Sequence, residues 1–306
     1  MNKPILKISN LSHRYSVKWA VKDVNLEIAN KGIYGLLGAN GAGKSTIMNA
    51  ACGVIRQTDG TIEICGIDTI ADSVNSRTKI GFLPQKPPLQ QELTVIEFLK
   101  LSAKLRMIPD AEIPKAIDDV VAICNLESMK NRLISNLSGG YQQRVGIAQA
   151  IIHKPEVVIF DEPTNGLDPN QILEIRGLVR DIAKDRTVLL STHILSEVQA
   201  ICEKIIMIDK GSVVFNGSID DFNNYITPDT VMVSLLEMPS VSLLEALPEV
   251  ISVESVSETH YRVRSGNTKA VVKAIVKASV ENNWDLEEIY FENTSMDDVF
   301  AVLSNN

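Results

Sequence analysis

The chain has 306 residues, 45% of them apolar, enough for one large domain and a small one, and it holds no apolar run of about 18 residues, so no membrane-spanning helix is expected. Residues 1–10 lack the long apolar stretch of a signal peptide, and four scattered cysteines (Cys52, Cys65, Cys124, Cys202) show no metal-ligand spacing, which points to reduced thiols in a cytosolic protein. Residues 227–306 carry 13 acidic and 5 basic side chains, the whole of the net charge of −8; neither part has the basic footprint of a nucleic-acid binder, and the charge step beside Thr227, Pro228 and Asp229 predicts a domain boundary.

In chain order, residues 5–8 and 24–28 read as strands, and residues 32–37 as the strand that feeds a glycine-rich loop. Between Gln85 and Asn136 the pattern turns helical. Thr94 followed three residues later by Glu97 is a capping box that opens a helix through about Met107, Pro109 stops it, and a second helix is expected near residues 111–124. Residues 157–160 and 187–190 are apolar runs of buried-strand type. Residues 205–208 and 212–215, around Asp209, Lys210 and Gly211, predict a hairpin. The acidic tail reads as strand 230–236, helix 241–247, strands 251–257 and 260–264, helix 268–282 and strand 286–292, with a last helix at 296–303. That βαββαβ order is the pattern of a small ferredoxin-like α+β domain. The expected division is therefore 1–226 as an α/β domain, with a helical subdomain at about 86–150, and 227–306 as an accessory domain.

Two motifs carry chemistry by themselves. Gly38, Ala39, Asn40, Gly41, Ala42, Gly43, Lys44, Ser45 and Thr46 form a phosphate loop between a predicted strand and a helix. Its glycines let backbone N–H groups wrap phosphates, and the helix N-terminus adds its positive dipole end. Lys44 would neutralise β/γ-phosphate oxygens, and the Ser45 hydroxyl would ligate Mg²⁺. The strand at 157–160 runs into Asp161 and Glu162 in the manner of a Walker B segment: Asp161 would hold Mg²⁺, and Glu162 would accept a proton from the attacking water.

A second glycine turn, Leu137-Ser138-Gly139-Gly140-Tyr141-Gln142-Gln143-Arg144, precedes another helix. Together with Tyr15, Gln85 after Pro84, Gly166-Leu167-Asp168 and Ser191-Thr192-His193, taken in order, it makes residues 5–217 resemble the ABC transporter ATPases. The resemblance implies a P-loop ABC ATPase fold with a mixed sheet core and a helical subdomain. By the same resemblance Tyr15 would stack on adenine, with Trp19 as the alternative, and Gln85 would reach Mg²⁺ and the lytic water. His193 would contact the γ-phosphate, and Asp168 would communicate across a dimer. Ser138, Gly139 and Gly140 would approach the ATP held by a second subunit, for which close backbone access is needed. Tyr141 stands where glutamine is commonest, as in export-type subfamilies.

The function implied is an ATP-hydrolysing subunit that binds ATP and Mg²⁺ and pairs with itself or with a related ATPase. It would drive an integral membrane permease from the cytoplasmic face of the cell membrane, with no nucleic-acid partner. The Asn165-Gly166-Leu167-Asp168 form and a tail ending in Ser295-Met296-Asp297-Asp298-Val299-Phe300 resemble the branch that exports drugs, lipids or polysaccharides. The competing readings are a soluble ABC protein acting on ribosomes or DNA, and an ATP-dependent regulatory module. The single ATPase unit and the absence of sustained heptads weigh against the first, and Glu162 weighs against the second.

Overall fold

The computed structural model describes residues 3–226, 229–236, 241–257, 259–292 and 296–305. Thr227, Pro228 and Ser295, on which two of the expectations above fall, lie outside the described residues. The chain forms two compact units, residues 1–219 and 220–306.

In the first unit β1 (Leu6–Tyr15), β2 (Lys18–Ile28), β3 (Gly32–Leu37), α1 (Lys44–Ala51), β4 (Asp59–Ile64), β5 (Ile67–Asp68), α2 (Ser73–Thr78) and β6 (Ile80–Leu83) come first. There follow α3 (Val95–Leu105), α4 (Ile113–Ile123), a 3₁₀ turn (Ile134–Asn136), α5 (Gly139–Ile151), β7 (Val157–Asp161), α6 (Pro169–Ala183), β8 (Thr187–Thr192), α7 (Leu195–Ile201), β9 (Lys204–Asp209) and β10 (Ser212–Ser218). Two sheets result. One is antiparallel, in the order β2-β1-β4-β5; the other runs β10-β9-β3-β8-β7-β6, parallel except for the β9–β10 hairpin.

Every residue of β3, β7 and β8 is buried, which is why these segments read as apolar runs without alternation. Leu36, Ile159, Leu189 and Ile206 pack with Ile47 and Met48 of α1 in one core, continuous with Leu6, Ile28 and Ile62 of the antiparallel sheet. Ligands in open α/β sheets bind beyond the carboxyl ends of the strands. Here four neighbouring parallel strands, β3, β8, β7 and β6, end at Leu37, Thr192, Asp161 and Leu83, one or two residues before Gly38, His193, Glu162 and Gln85.

The helical segment is built on amphipathic faces. α3 buries Val95, Phe98, Leu99, Ser102 and Ala103, and α4 buries Ile113, Ala116, Ile117, Val120 and Val121, both at i, i+3, i+4, i+7, i+8 spacing. The capping box is present: the Thr94 side chain accepts from Glu97 N, and the Glu97 carboxylate accepts from Thr94 N. α3 ends at Leu105 rather than Met107, because Met107 takes the left-handed φ of 58°. α4 starts at Ile113 rather than 111, with Pro114 in its first turn, where a missing N–H costs nothing.

A short helix, α8 (Ile219–Asn223), precedes the tail elements β11 (Thr230–Leu235), α9 (Val241–Glu245), β12 (Val250–Ser255), β13 (His260–Ser265), α10 (Thr268–Asn282), β14 (Leu286–Phe291) and α11 (Met296–Asn305). The tail strands form one antiparallel sheet in the order β12-β13-β11-β14, the ferredoxin-like arrangement. Val233, Tyr261, Val263, Val271, Ile275 and Trp284 fill its core. Asn267 caps α10 by accepting from Ala270 N, and Asn283 ends it in the left-handed conformation. Among the described residues no helix is long and apolar enough to cross a membrane.

Candidate functional site

The loop after β3 turns into α1 through Gly43, whose φ of 113° is left-handed. A Cβ at Gly43 would stand 2.6 Å from Val21 Cγ1 and 2.9 Å from Ala20 O, so β2 presses on the loop where only glycine fits. No side chain caps α1, which leaves the N–H groups of its first turn available to a bound anion. Lys44 is 5% exposed and folds back along the loop, its Nζ donating to Gly38 O at 2.7 Å and Ala39 O at 3.1 Å. Burial pushes the Lys44 ammonium below its ordinary pKa, and the Glu162 and Asp161 carboxylates partly offset this.

At the end of β7, Asp161 and the following Glu162 are both buried. The Ser191 hydroxyl, from β8, donates to Asp161 Oδ1, while Glu162 N donates back to Ser191 Oγ at 3.0 Å. Glu162 holds a left-handed φ of 48°, a conformation that costs a non-glycine residue about 1 kcal/mol or more. The twist aims its carboxylate into the cleft. There Oε2 accepts from Gln85 Nε2 at 2.8 Å and Asn165 Nδ2 at 3.2 Å, and Oε1 lies 3.0 Å from His193 Nδ1.

A polar cleft of about 530 Å³ is thereby lined by Asn40, Gly41, Gly43, Lys44, Ser45 and Thr46 on one side, by Gln85, Glu162, Asn165 and His193 on the other, and by Ala20 at its edge. Residues far apart in sequence meet in this cleft. Tyr15 ends β1, half-exposed and edge-on to His13, and it is not among the lining residues. Trp19 is one residue from Ala20 and carries the Arg14 guanidinium 5.6 Å over its ring.

Ser138, Gly139, Gly140 and Asp168 do not line this cleft. Ser138 and Gly139 are exposed at the start of α5, again with no side-chain cap, and a Cβ on Gly139 would meet nothing within 4 Å. Gly140 is buried, and a Cβ there would come within 2.8 Å of Gln171 Cδ on α6. Asp168 caps α6, its Oδ1 accepting from Asn170 N and Gln171 N at 3.0 Å each. The Ser138–Gly140 turn and the start of α6 thus sit side by side and outward-facing, tied inward by Gln143 Nε2 donating to Pro163 O at 2.7 Å.

Four contributors were not apparent from sequence. Asn165 and Ser191 touch the carboxylates directly, and Thr164 and Glu197 bond each other just behind them. A polar residue near a motif gives no sign of which partner it will meet; only the strand order brings Ser191 against Asp161.

Comparison with known proteins agrees with this geometry. A family model described as ABC transporter matches residues 21–165. The bacitracin transport ATP-binding protein BcrA of Bacillus licheniformis is 37% identical over 212 residues, 69% of this chain and 68% of that protein. The uncharacterized ABC transporter ATP-binding protein YcbN of Bacillus subtilis (strain 168) is 32% identical over 303 residues, 98% of this chain and 97% of that one, so the likeness runs through the tail. Among solved structures, the dimeric post-hydrolysis state of the ATP-binding cassette MJ0796 bound to ADP and Pi superposes with a TM-score of 0.63 at 28% identity, over 70% of this chain and 98% of that one. The chain belongs to the ABC transporter family, as an ATP-binding subunit that hydrolyses ATP.

Proposed function

We propose that the chain is half of a two-subunit ATP clamp that drives a separate membrane permease, in the direction of export, from the cytoplasmic face of the membrane. The observation that carries this reading is the separation of two uncapped helix starts. The one at Lys44 lies in the cleft with the base, and the one at Ser138–Gly139 lies exposed elsewhere on the same chain. A second copy supplies Ser138, Gly139 and Gly140 to the open side of the cleft, so each ATP is enclosed only when two subunits meet. The dimeric state of the MJ0796 cassette, bound to ADP and Pi, supports pairing of two copies. The Asn165–Asp168 loop form supports export. The charge step and the tail's own core support assigning 227–306 as an accessory domain, with about 86–150 as the helical subdomain that grips the permease.

In this reading Lys44 and the first turn of α1, with Ser45 and Thr46, bind the phosphates, while Gly38, Asn40, Gly41 and Ala42 shape the loop. The adenine stacks on Tyr15, with Trp19 as the alternative platform. Ser45, Asp161 and Gln85 form a set of hard oxygen donors suited to Mg²⁺. Ser191 occupies one Asp161 oxygen, and the Gln85 amide nitrogen is spent on Glu162, which leaves its carbonyl oxygen free to ligate. When bound, the ion neutralises charge on the phosphate oxygens. Glu162 takes the proton from a water whose oxygen attacks the γ-phosphorus, and the β–γ bridging oxygen leaves with ADP. A carboxylate can only accept, so His193 donates to it from Nδ1, and Nε2 is the ring nitrogen left to face a γ-phosphate oxygen.

The test for the permease is affinity capture of the full chain from detergent-solubilised membranes. A multi-spanning protein is expected in the eluate. Recovery of ribosomes or DNA in its place would overturn the transporter assignment.

A further inference from the structure

Behind the cleft lies a buried carboxylate that the hydrolysis scheme above does not use. Glu197, in the first turn of α7, is 4% exposed. Its Oε1 accepts from the Thr164 hydroxyl, and its Oε2 accepts from the Thr192 hydroxyl at 2.6 Å. Arg176 Nη2 of α6 stands 3.9 Å from Oε1. A charge this deep is costly unless it is fully hydrogen-bonded, so its retention calls for an account. The partners supply one. Thr164 lies two residues after Glu162 and Thr192 one residue before His193. Thr192 Oγ1 also accepts from Ile194 N at 3.0 Å, which fixes the turn that carries His193. Arg176 belongs to the helix that Asp168 caps.

We infer that Glu197 is a positioning residue for ATP hydrolysis: one carboxylate clamps the segments that carry Glu162 and His193 and holds the base and the histidine in register. The inference rests on the roles proposed above for those two residues. Glu197 touches neither the cleft nor its contents, so its loss acts on turnover through the geometry of the Glu162–His193 pair, and ATP affinity stays intact. Small displacements of a catalytic pair are enough for this, since misplacement by about 1 Å can cost on the order of a hundredfold.

The experiment compares kcat and KM for ATP, with Mg²⁺, in the chain and in Thr164→Val, Thr192→Val, Glu197→Ala and their double variants, alongside Glu162→Gln. Each threonine variant is expected to lower kcat about tenfold with KM within about twofold, and each is expected to lower it by less than about twofold more in the Glu197→Ala background, because alanine removes the one group on which both bonds end. Melting temperatures are measured in parallel. Should Glu197→Ala not fold, the threonine pair still reports, since two losses through one clamp fall short of multiplying. Losses that multiply across the double variants, that appear only in KM, or that follow the melting temperature would overturn the inference, as would normal kcat in all the clamp variants. An inactive Glu162→Gln beside normal clamp variants sinks this inference alone, whereas an active Glu162→Gln sinks the base assignment itself.

Discussion

Glu162 Oε1 and His193 Nδ1 lie 3.0 Å apart although 31 residues separate them in sequence. The pairing is made by β7 and β8 lying side by side in register, with Asp161 opposite Ser191. It also predicts what each member does. Glu162→Gln keeps the shape and the contacts to Gln85 and Asn165 yet cannot take a proton. Turnover should fall by about 10²-fold or more while ATP binding persists and an ATP-bound dimer accumulates, measured by phosphate release and analytical ultracentrifugation. Unchanged phosphate release would reject Glu162 as the base.

Lys44 offers a separate test of the phosphate loop. Among the described residues its ammonium bonds to the carbonyls of Gly38 and Ala39, and burial disfavours its charge more than the Glu162 and Asp161 carboxylates restore it. An anion beside it supplies further counter-charge. Lys44→Ala should therefore weaken ATP binding by about tenfold or more, read by equilibrium titration with a fluorescent ATP analogue. Wild-type affinity would remove the loop from the phosphate site.

Gly139 separates a role in folding from a role in assembly. A Cβ there meets nothing within 4 Å in its own chain, and alanine suits the start of a helix. Gly139→Ala should leave the melting temperature within about 2 °C of the parent, since it removes no packing. Turnover and dimer formation should nevertheless drop, because the added methyl meets the second subunit's nucleotide. A variant that dimerises and hydrolyses normally would count against the shared site.

His153 gives a pH prediction. A carbonyl only accepts, so its Nε2 donates to Ile80 O at 3.0 Å, and the buried Nδ1 has no partner. Burial, with the Arg106 guanidinium adding to it, pushes the imidazole down to about 4. The folded protein thus resists a proton that the unfolded chain binds at an ordinary pH near 6.5. Stability from this residue is fully present above pH 6.5 and is lost as the pH falls toward 4, by on the order of 3 kcal/mol. His153→Gln keeps a donor for Ile80 O and should flatten that stretch of the denaturation-midpoint curve. A curve of unchanged slope would refute the assignment.

Much of this was legible in the residues. The apolar run at 157–160, the turn at Asp209–Gly211 and the Thr94–Glu97 box each carry a local physical signal, and each became the element expected. The tail's βαββαβ order was legible for the same reason: alternating strands, and a helix capped by Asn267. β4, α2 and the edge strand β6 were missed. β4 and α2 are short and only partly apolar, and β6, apolar but four residues long, is a strand because β7 lies beside it. At the site, motif residues were recognisable because glycines and paired carboxylates have few other uses. Ser191, Thr164 and Glu197 were not, since a hydroxyl or a carboxylate takes its meaning from a partner 5 to 33 residues away.

The four parallel strands β3, β8, β7 and β6 work as a ruler for the chemistry. Neighbouring strands sit about 4.8 Å apart whatever the loops beyond them contain. The spacing among the phosphate loop, His193, Glu162 and Gln85 is therefore graduated by backbone hydrogen bonds and is indifferent to most side chains. Insertions in the connecting segments leave the ruler unmarked, whereas a one-residue slip of β7 against β8 would exchange Glu162 for a neighbour on the other face and erase the site without removing a single one of its residues.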